Sequence, residues 1–230
     1  MRTVIYAGTR NIYRNMATAA KSLLNHTQVD RVWFLTEDDL FPEPLPDVIK
    51  TINVSGQKWF DPEGPNAKKR WSYMALMKLA LPELFPDLHR ALWLDVDTIV
   101  NKDIGDLIDM ELDGNLIAAA EEPMRSKPPF RYFNTGVMVM DLDGLRGLAS
   151  KNLIRLANGH PMQFPDQDAI NLCLQWKIKK ISAYYNSNYW IEEVNDPAIT
   201  HYAADRHYEE HKLWKQYEEM DWREINAGKD

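Results

Sequence analysis

Asp95 and Asp97 follow the apolar run Ala91-Leu92-Trp93-Leu94. An apolar run ending abruptly in acid reads as a buried strand that delivers carboxylates to a sheet edge. Strand side chains two apart point the same way, so the two acids can reach one object together. Two hard, anionic oxygen donors suit a divalent cation such as Mg²⁺ or Mn²⁺. The same acids could instead close the strand and cap the next turn. Three further polar groupings interrupt apolar stretches: Asn134-Thr135-Gly136, Asp166-Gln167-Asp168 just after Pro165, and His201 closing Ala198-Ile199-Thr200. Glycine in a strand marks close approach of a ligand or another backbone. Pro165 with acids behind it is also ordinary helix-start chemistry, which is the bland reading of Asp166 and Asp168.

The elements that must carry these groups follow from hydrophobic period. Thr3 to Ala7, Arg31 to Thr36, Val48 to Val54, Leu116 to Ala120, Tyr132 to Asp141, Ile178 to Ile181 and Ala198 to Tyr202 read as strands. Met16, Ala19, Ala20, Leu23 and Leu24 mark an amphipathic helix between the first two. Strand, helix, strand predicts a parallel sheet with helices on its faces, where ligands bind beyond the carboxyl ends of the strands. In a doubly wound sheet all four polar groupings converge on one rim. A loop is expected over 55–69, then a helix from about Arg70 with Tyr73, Leu76, Met77, Ala80 and Leu81 on one face, ended or kinked by Pro82. Its polar side offers Arg70 and Lys78, which are solvated charges or partners of an anionic ligand. Asp103 to Met110 reads as a short helical turn, and Leu145, Leu148, Ala149 and Leu153 suggest another helix. A helix opening at Pro165 turns Ile170, Leu174 and Cys173 inward. Glu121 to Arg131, rich in proline, reads as a mobile loop near a site. The stretch from Tyr184 to Trp190 is irregular and aromatic, and Glu209 to Met220 is charged enough for a surface helix or tail.

Composition bounds the function. At 230 residues, with 45% hydrophobic and 27% charged residues, the chain has ample material for one large core. A net charge of −7 argues against general binding to nucleic acid. The single cysteine, Cys173, excludes an intramolecular disulfide framework and suits a reducing compartment. No signal peptide is apparent, and no run approaches the ~18 apolar residues of a membrane span. A soluble, cytoplasmic protein is expected.

Five stretches in order are more specific than any one of them: Ala20-Lys21-Ser22-Leu23-Leu24, Leu92-Trp93-Leu94-Asp95-Val96-Asp97, Tyr132-Phe133-Asn134-Thr135-Gly136-Val137, Asp166-Gln167-Asp168-Ala169-Ile170-Asn171 and His201-Tyr202. Together they resemble glycosyltransferase family 8, the retaining family that includes glycogenin and bacterial lipopolysaccharide galactosyltransferases. The resemblance implies an α/β GT-A fold with a doubly wound, mostly parallel sheet and helices on both faces. It implies one catalytic domain over 1–205, with 206–230 as a helical, charged tail packed on it or extending from it. It also implies a UDP-sugar donor, a carbohydrate or other hydroxyl acceptor, and Mn²⁺ as the usual metal, with Mg²⁺ the alternative. By position, Asp95, Asp97 and His201 would hold the metal. Ala7, Thr9 and Asn11 fall where the family cradles uridine, Lys78 and Val96 where it meets the donor, and Asn134, Thr135, Gly136, Asp166 and Gln167 around the donor sugar. Asp166 and Gln167 are the candidates for catalysis.

Two departures stand out. After its metal histidine the family usually has a glycine and then Lys-Pro-Trp on the diphosphate; here Ala204 and His207 occupy the glycine and lysine places. Arg206, His207 or Lys212 would supply that cation. The uridine turn carries Thr9 in place of the acid common in the bacterial branch. Two rivals share parts of the pattern. Asp-x-Asp after an apolar strand also suits a haloacid-dehalogenase-type phosphatase, which wants the pair on its first strand and a Thr where Ile99 stands. His207-Tyr208-Glu209-Glu210-His211 matches the His-x-x-Glu-His pattern of inverted zinc peptidases, though a solvated charged face explains it as well.

Overall fold

The computed structural model describes residues 1–66 and 72–225. The chain opens with β1 (Thr3–Ala7), α1 (Tyr13–His26), β2 (Arg31–Thr36) and β3 (Ile49–Asn53). Two single helical turns, α2 (Tyr73–Leu76) and α3 (Leu81–Leu84), are joined by a 3₁₀ stretch at Met77–Ala80. Then come β4 (Arg90–Leu94), β5 (Thr98–Val100), α4 (Gly105–Asp109), β6 (Ile117–Glu121) and β7 (Phe133–Asp141). The rest comprises α5 (Leu142–Leu145), α6 (Leu148–Gly159), α7 (Pro165–Cys173), β8 (Ile178–Ile181), β9 (Ile199–His201) and α8 (Lys212–Glu219). Arg70, expected to open a helix, lies outside the described residues. Among the described residues, α2 is capped by Ser72, whose hydroxyl accepts from Met74 N. Pro82 falls in the first turn of α3, where its missing N–H costs nothing.

Seven strands form the main sheet in the order β3-β2-β1-β4-β7-β6-β8, and β5 pairs with β9 in a separate two-stranded ribbon. Every neighbouring pair in the main sheet is parallel except the two made by β7. The central strands β1, β4, β6 and β7 are buried on both faces, as their near-continuous apolar runs required, whereas the edge strands β3 and β8 carry exposed or half-buried polar residues. Along β4, Ala91 and Trp93 enter one core with Met74, Leu81, Leu142 and Ile170, while Leu92 and Leu94 enter the other with Met16, Leu23 and Leu107. The period of two in a strand divides the cores. Cys173 does not turn inward; it is exposed at the end of α7, and Ala169 and Ile170 fill the inward positions.

The reversal of β7 brings the start of that strand to the carboxyl end of β4. Leu94 pairs with Val137, and Asp95 N then donates to Gly136 O at 2.7 Å. Against β6 the register jumps, so that Ala119 faces Met138 but Ala120 faces Asn134, and 135–137 bulge out of the ladder. A bulge bends a strand and re-aims its side chains, here Asn134 and Thr135. The ribbon does the same for the histidine, because Thr98 pairs with His201 directly after the acid-bearing turn.

Residues 208–219 pack against the rest of the chain. Trp214 and Tyr217 of α8 are 1% and 3% exposed and cluster with Ile99. Asn15 of α1 donates to Tyr208 Oη and Glu209, and Lys21 to Glu218 O. Among the described residues, no helix is long and apolar enough to cross a membrane.

Candidate active site

One oxygen of Asp95, one of Asp97 and a ring nitrogen of His201 all lie within 4.8 Å of one another. The two acids occupy the turn between β4 and β5, partly exposed, and His201 is buried on β9. Its Nε2 is 3.3 Å from Asp97 Oδ1. The tautomer follows from one backbone group. Gly136 N–H can only donate, so the atom it meets in Asn134 is Oδ1. Asn186 must then offer Nδ2 to that oxygen, which leaves Asn186 Oδ1 facing His201 Nδ1 at 2.8 Å. Nδ1 therefore carries a proton, and Nε2 is the atom free to ligate. Two carboxylates and an imidazole nitrogen oriented in this way suit a divalent cation of the Mn²⁺ type.

Asp97 and His201 hold each other. Burial pushes the imidazole down, but the charge and hydrogen bond of Asp97, aided by Asp95, outweigh it and raise His201 above its ordinary value. Burial likewise pushes Asp97 up, while His201, by charge and hydrogen bond, and Lys78 bring it below the usual carboxylate range.

Lys78 lies in the 3₁₀ stretch between α2 and α3 and is only 1% exposed. Its ammonium reaches Asp166 Oδ2 at 2.6 Å, Asp95 Oδ1 at 3.0 Å and Thr135 O at 3.2 Å. Burial disfavours that charge, yet the two carboxylates more than compensate and raise the Lys78 pKa. Trp93 donates Nε1 to Asp95 Oδ1 at 2.7 Å and lays its ring 5.0 Å from the ammonium. Thr135 Oγ1 donates to Asp166 Oδ2 at 3.1 Å. Asp95 is thus shared between the cation corner and the lysine.

The third cluster contains two residues that sequence reasoning missed. Glu122, expected on a mobile loop, is 2% exposed. Its Oε1 accepts from Asn134 Nδ2 at 2.8 Å and Gln167 Nε2 at 3.1 Å. Gln167 Oε1 accepts from Thr135 N, so its amide is fixed at both ends. Glu122 Oε2 makes an ion pair with Arg125 Nε at 3.1 Å, with geometry short of a hydrogen bond. Asn186 and Trp190 were visible only as part of an aromatic, irregular stretch; Asn186 orients the histidine and Trp190 faces the cleft.

These groups line one cleft of about 550 Å³. The structure brings to it Ala7, Thr9, Asn11, Lys78, Asp95, Val96, Asp97, Asn134, Thr135, Asp166, Gln167, His201 and Arg206. Gly136 lies behind the lining, against the His201 ring. His207 and Lys212 do not line it. The His207 side chain is 76% exposed and pairs with Glu210, and Lys212 is exposed where α8 begins. The His-x-x-Glu-His zinc reading fails on the same geometry. His207 precedes a 3₁₀ turn and His211 precedes α8, so no helix carries both, and His211 pairs with Asp205. Ala203 and Ala204 border the cleft, and Ala204 has a φ of 67°.

A mixed sheet that presents an Asp-x-Asp turn, a distant histidine and a buried lysine on one rim defines a GT-A fold of the nucleotide-sugar transferase class. The model of glycosyl transferase family 8 matches residues 3–217, and the chain belongs to that family. It is 27% identical over 188 residues to glycosyltransferase GlyB of Streptococcus pneumoniae, covering 70% of this chain and 46% of that one. The chain spans about half the length of the first curated relatives it matches. Among solved structures, GlyE of S. pneumoniae superposes with a TM-score of 0.71 at 22% identity, over 97% of this chain and 62% of that one. Galactosyltransferase LgtC, solved with donor and acceptor sugar analogues, gives 0.70 at 18% identity, over 94% and 95%. At these identities the two structures speak to fold. Family membership sets the phosphatase rival aside.

Proposed function

We propose that the chain is a retaining glycosyltransferase that moves a hexose from a UDP-sugar to a hydroxyl acceptor, with Mn²⁺ or Mg²⁺ held by Asp95, Asp97 and His201. The observation that carries this reading is the shared position of Asp95. One carboxylate serves both the three-ligand corner and a buried lysine that also holds Asp166. When bound, the cation would supply positive charge for the oxygens of the departing diphosphate. Lys78 adds a second, fixed positive charge on the same rim, and Arg206 is the cation available from the C-terminal side. Asn134 and Gln167 offer neutral amides to the donor sugar, and Gln167 suits support of an oxocarbenium-like centre without forming a bond to it.

Retention needs either a carboxylate nucleophile or attack from the leaving-group face. Asp166 is the carboxylate at hand, but Lys78 at 2.6 Å and the Thr135 hydroxyl at 3.1 Å both draw on one of its oxygens. Both contacts fall on Oδ2 and leave Oδ1 as the oxygen that could attack; we favour front-face attack, with the departing phosphate taking the acceptor's proton. A glycosyl adduct trapped on Asp166 would overturn that route.

The altered stretch after His201 favours a second reading, a nucleotide-sugar binder without turnover. Hydrolysis of a panel of UDP-sugars with Mn²⁺ and no acceptor separates the two. Turnover that is lost in Asp97→Asn supports the transferase; UDP-sugar binding with no turnover supports the binder.

A further inference from the structure

Arg125 sits in the segment whose composition suggested mobility, yet its side chain is three-quarters buried at 25% exposure. Rings from three places in the chain surround it. Its Cζ lies 4.1 Å from the ring centroid of Phe164, which precedes α7, 5.3 Å from Trp190 and 5.4 Å from Tyr132. Tyr132 is itself anchored, through its hydroxyl, to Asp168. A planar guanidinium stacks against aromatic faces in a way that an ammonium does not reproduce.

Among the described residues, Arg125 is the cation that pairs with Glu122. Glu122 is all but inaccessible, and a buried carboxylate needs both a countercharge and hydrogen bonds. The Asn134 and Gln167 amides satisfy Oε1, and Arg125 supplies the charge at Oε2. The amides' other ends are fixed by the Gly136 and Thr135 backbone N–H groups. Their orientation toward the cleft therefore depends on where Glu122 stands, and Glu122 stands where Arg125 holds it.

We infer that Arg125 is a positioning residue for sugar transfer: clamped between Phe164, Trp190 and Tyr132, it fixes Glu122 and thereby the two amides, Asn134 and Gln167, that meet the donor sugar. The inference rests on the transferase reading for the identity of the sugar site. It assigns Arg125 no contact with the nucleotide.

The test compares full-length wild type, Arg125→Lys, Arg125→Met and the double variant Arg125→Met/Glu122→Gln. Each is assayed for UDP-sugar turnover and for the affinities of UDP and of UDP-sugar by calorimetry. Arg125→Met should lower kcat on the order of 100-fold, the scale of an ångström-level misplacement. UDP affinity should stay unchanged, and the extra affinity contributed by the sugar should fall. Arg125→Lys should recover part of kcat. The double variant removes the stranded carboxylate while keeping an acceptor oxygen for both amides, so it should fold and should be no worse than Arg125→Met. Unchanged kcat and sugar affinity in Arg125→Met would overturn the inference. So would an equal loss of UDP and UDP-sugar affinity, which marks a purely structural role. If Arg125→Met does not fold, the double variant decides, since wild-type kcat in it overturns the inference and an Arg125→Lys intermediate beside it supports it. If wild type binds UDP-sugar but turns over none, the transferase reading falls, and the ratio of UDP-sugar to UDP affinity still judges Arg125.

Discussion

Gly136 and His201 are packed so closely that a Cβ on Gly136 would lie 2.1 Å from His201 Cε1. The ring cannot retreat freely, because Nδ1 is tied to Asn186 and Nε2 faces Asp97. Glycine here is a spacing device for an imidazole rather than a turn residue. Gly136→Ala should therefore turn the ring away from Asp95 and Asp97. Mn²⁺ affinity should fall on the order of 10–100-fold, as when a residue orienting a ligand is lost. Overpacking should cost about 1–3 kcal/mol of stability in urea. A variant that binds Mn²⁺ as tightly as wild type would show that His201 is not a ligand.

Removing Lys78 should cost both stability and turnover. Lys78→Met leaves Asp166 and Asp95 facing each other without a countercharge. Breaking a buried pair typically costs about 3–5 kcal/mol, and the partial exposure of Asp95 places this case near 3. A second change, Asp166→Asn, should restore part of the stability and none of the turnover. Denaturant midpoints and UDP-sugar hydrolysis on both variants check this; a fully stable Lys78→Met would mean that solvent already screens the triad.

The Asp97–His201 pair sets a pH dependence whose sign can be worked out. His201 has a folded pKa above its unfolded value, so without metal its contribution to stability is complete below about 6.5 and is lost as pH rises through the folded value. Asp97 is displaced the other way, so its contribution is present above the ordinary carboxylate value and is lost as pH falls through the depressed one. A cation needs the neutral imidazole and competes with that proton. Mn²⁺ affinity should therefore rise with pH across the range above about 6.5. Calorimetric titration at several pH values checks it, with His201→Asn expected to lose both the slope and most of the affinity.

The sheet was legible because its central strands are largely apolar, and Asp95 and Asp97 were legible because acid ends such a run abruptly. The antiparallel setting of β7 was not, since nothing local records which way a buried strand runs. That direction is what carries Asn134 and Gly136 to the Asp95 end. Glu122 and Arg125 were hidden by their company, a proline-rich and charged stretch whose composition resembles a surface loop. Arg125 is covered by Phe164 and Trp190, and Glu122 meets Asn134 and Gln167, all contributed by other parts of the chain. Asn186 was masked likewise by the aromatic residues beside it. His207 and Lys212 were grouped with the site as stand-ins for the family's diphosphate lysine, but the buried face of α8, with Trp214 and Tyr217, orients that segment, and neither side chain lines the cleft.

Ala204 holds a left-handed φ of 67° at the edge of the cleft, in the place where the family pattern has glycine. Asp113 and Asp196 also have positive φ, but aspartate tolerates that region through local hydrogen bonding, whereas alanine does not. The conformation costs an alanine about 1–2 kcal/mol. Glycine returns about 0.5–1 kcal/mol of that through its greater freedom when unfolded. Ala204→Gly should thus stabilise the protein by about 0.5–1 kcal/mol, an inversion of the usual loss for that substitution. Because the strained residue borders the cleft, UDP affinity should be kept or improved, as expected where local strain serves a site. Urea midpoints and UDP titration on the same preparation decide it. A less stable Ala204→Gly would mean that this turn is held by something other than the backbone strain at Ala204.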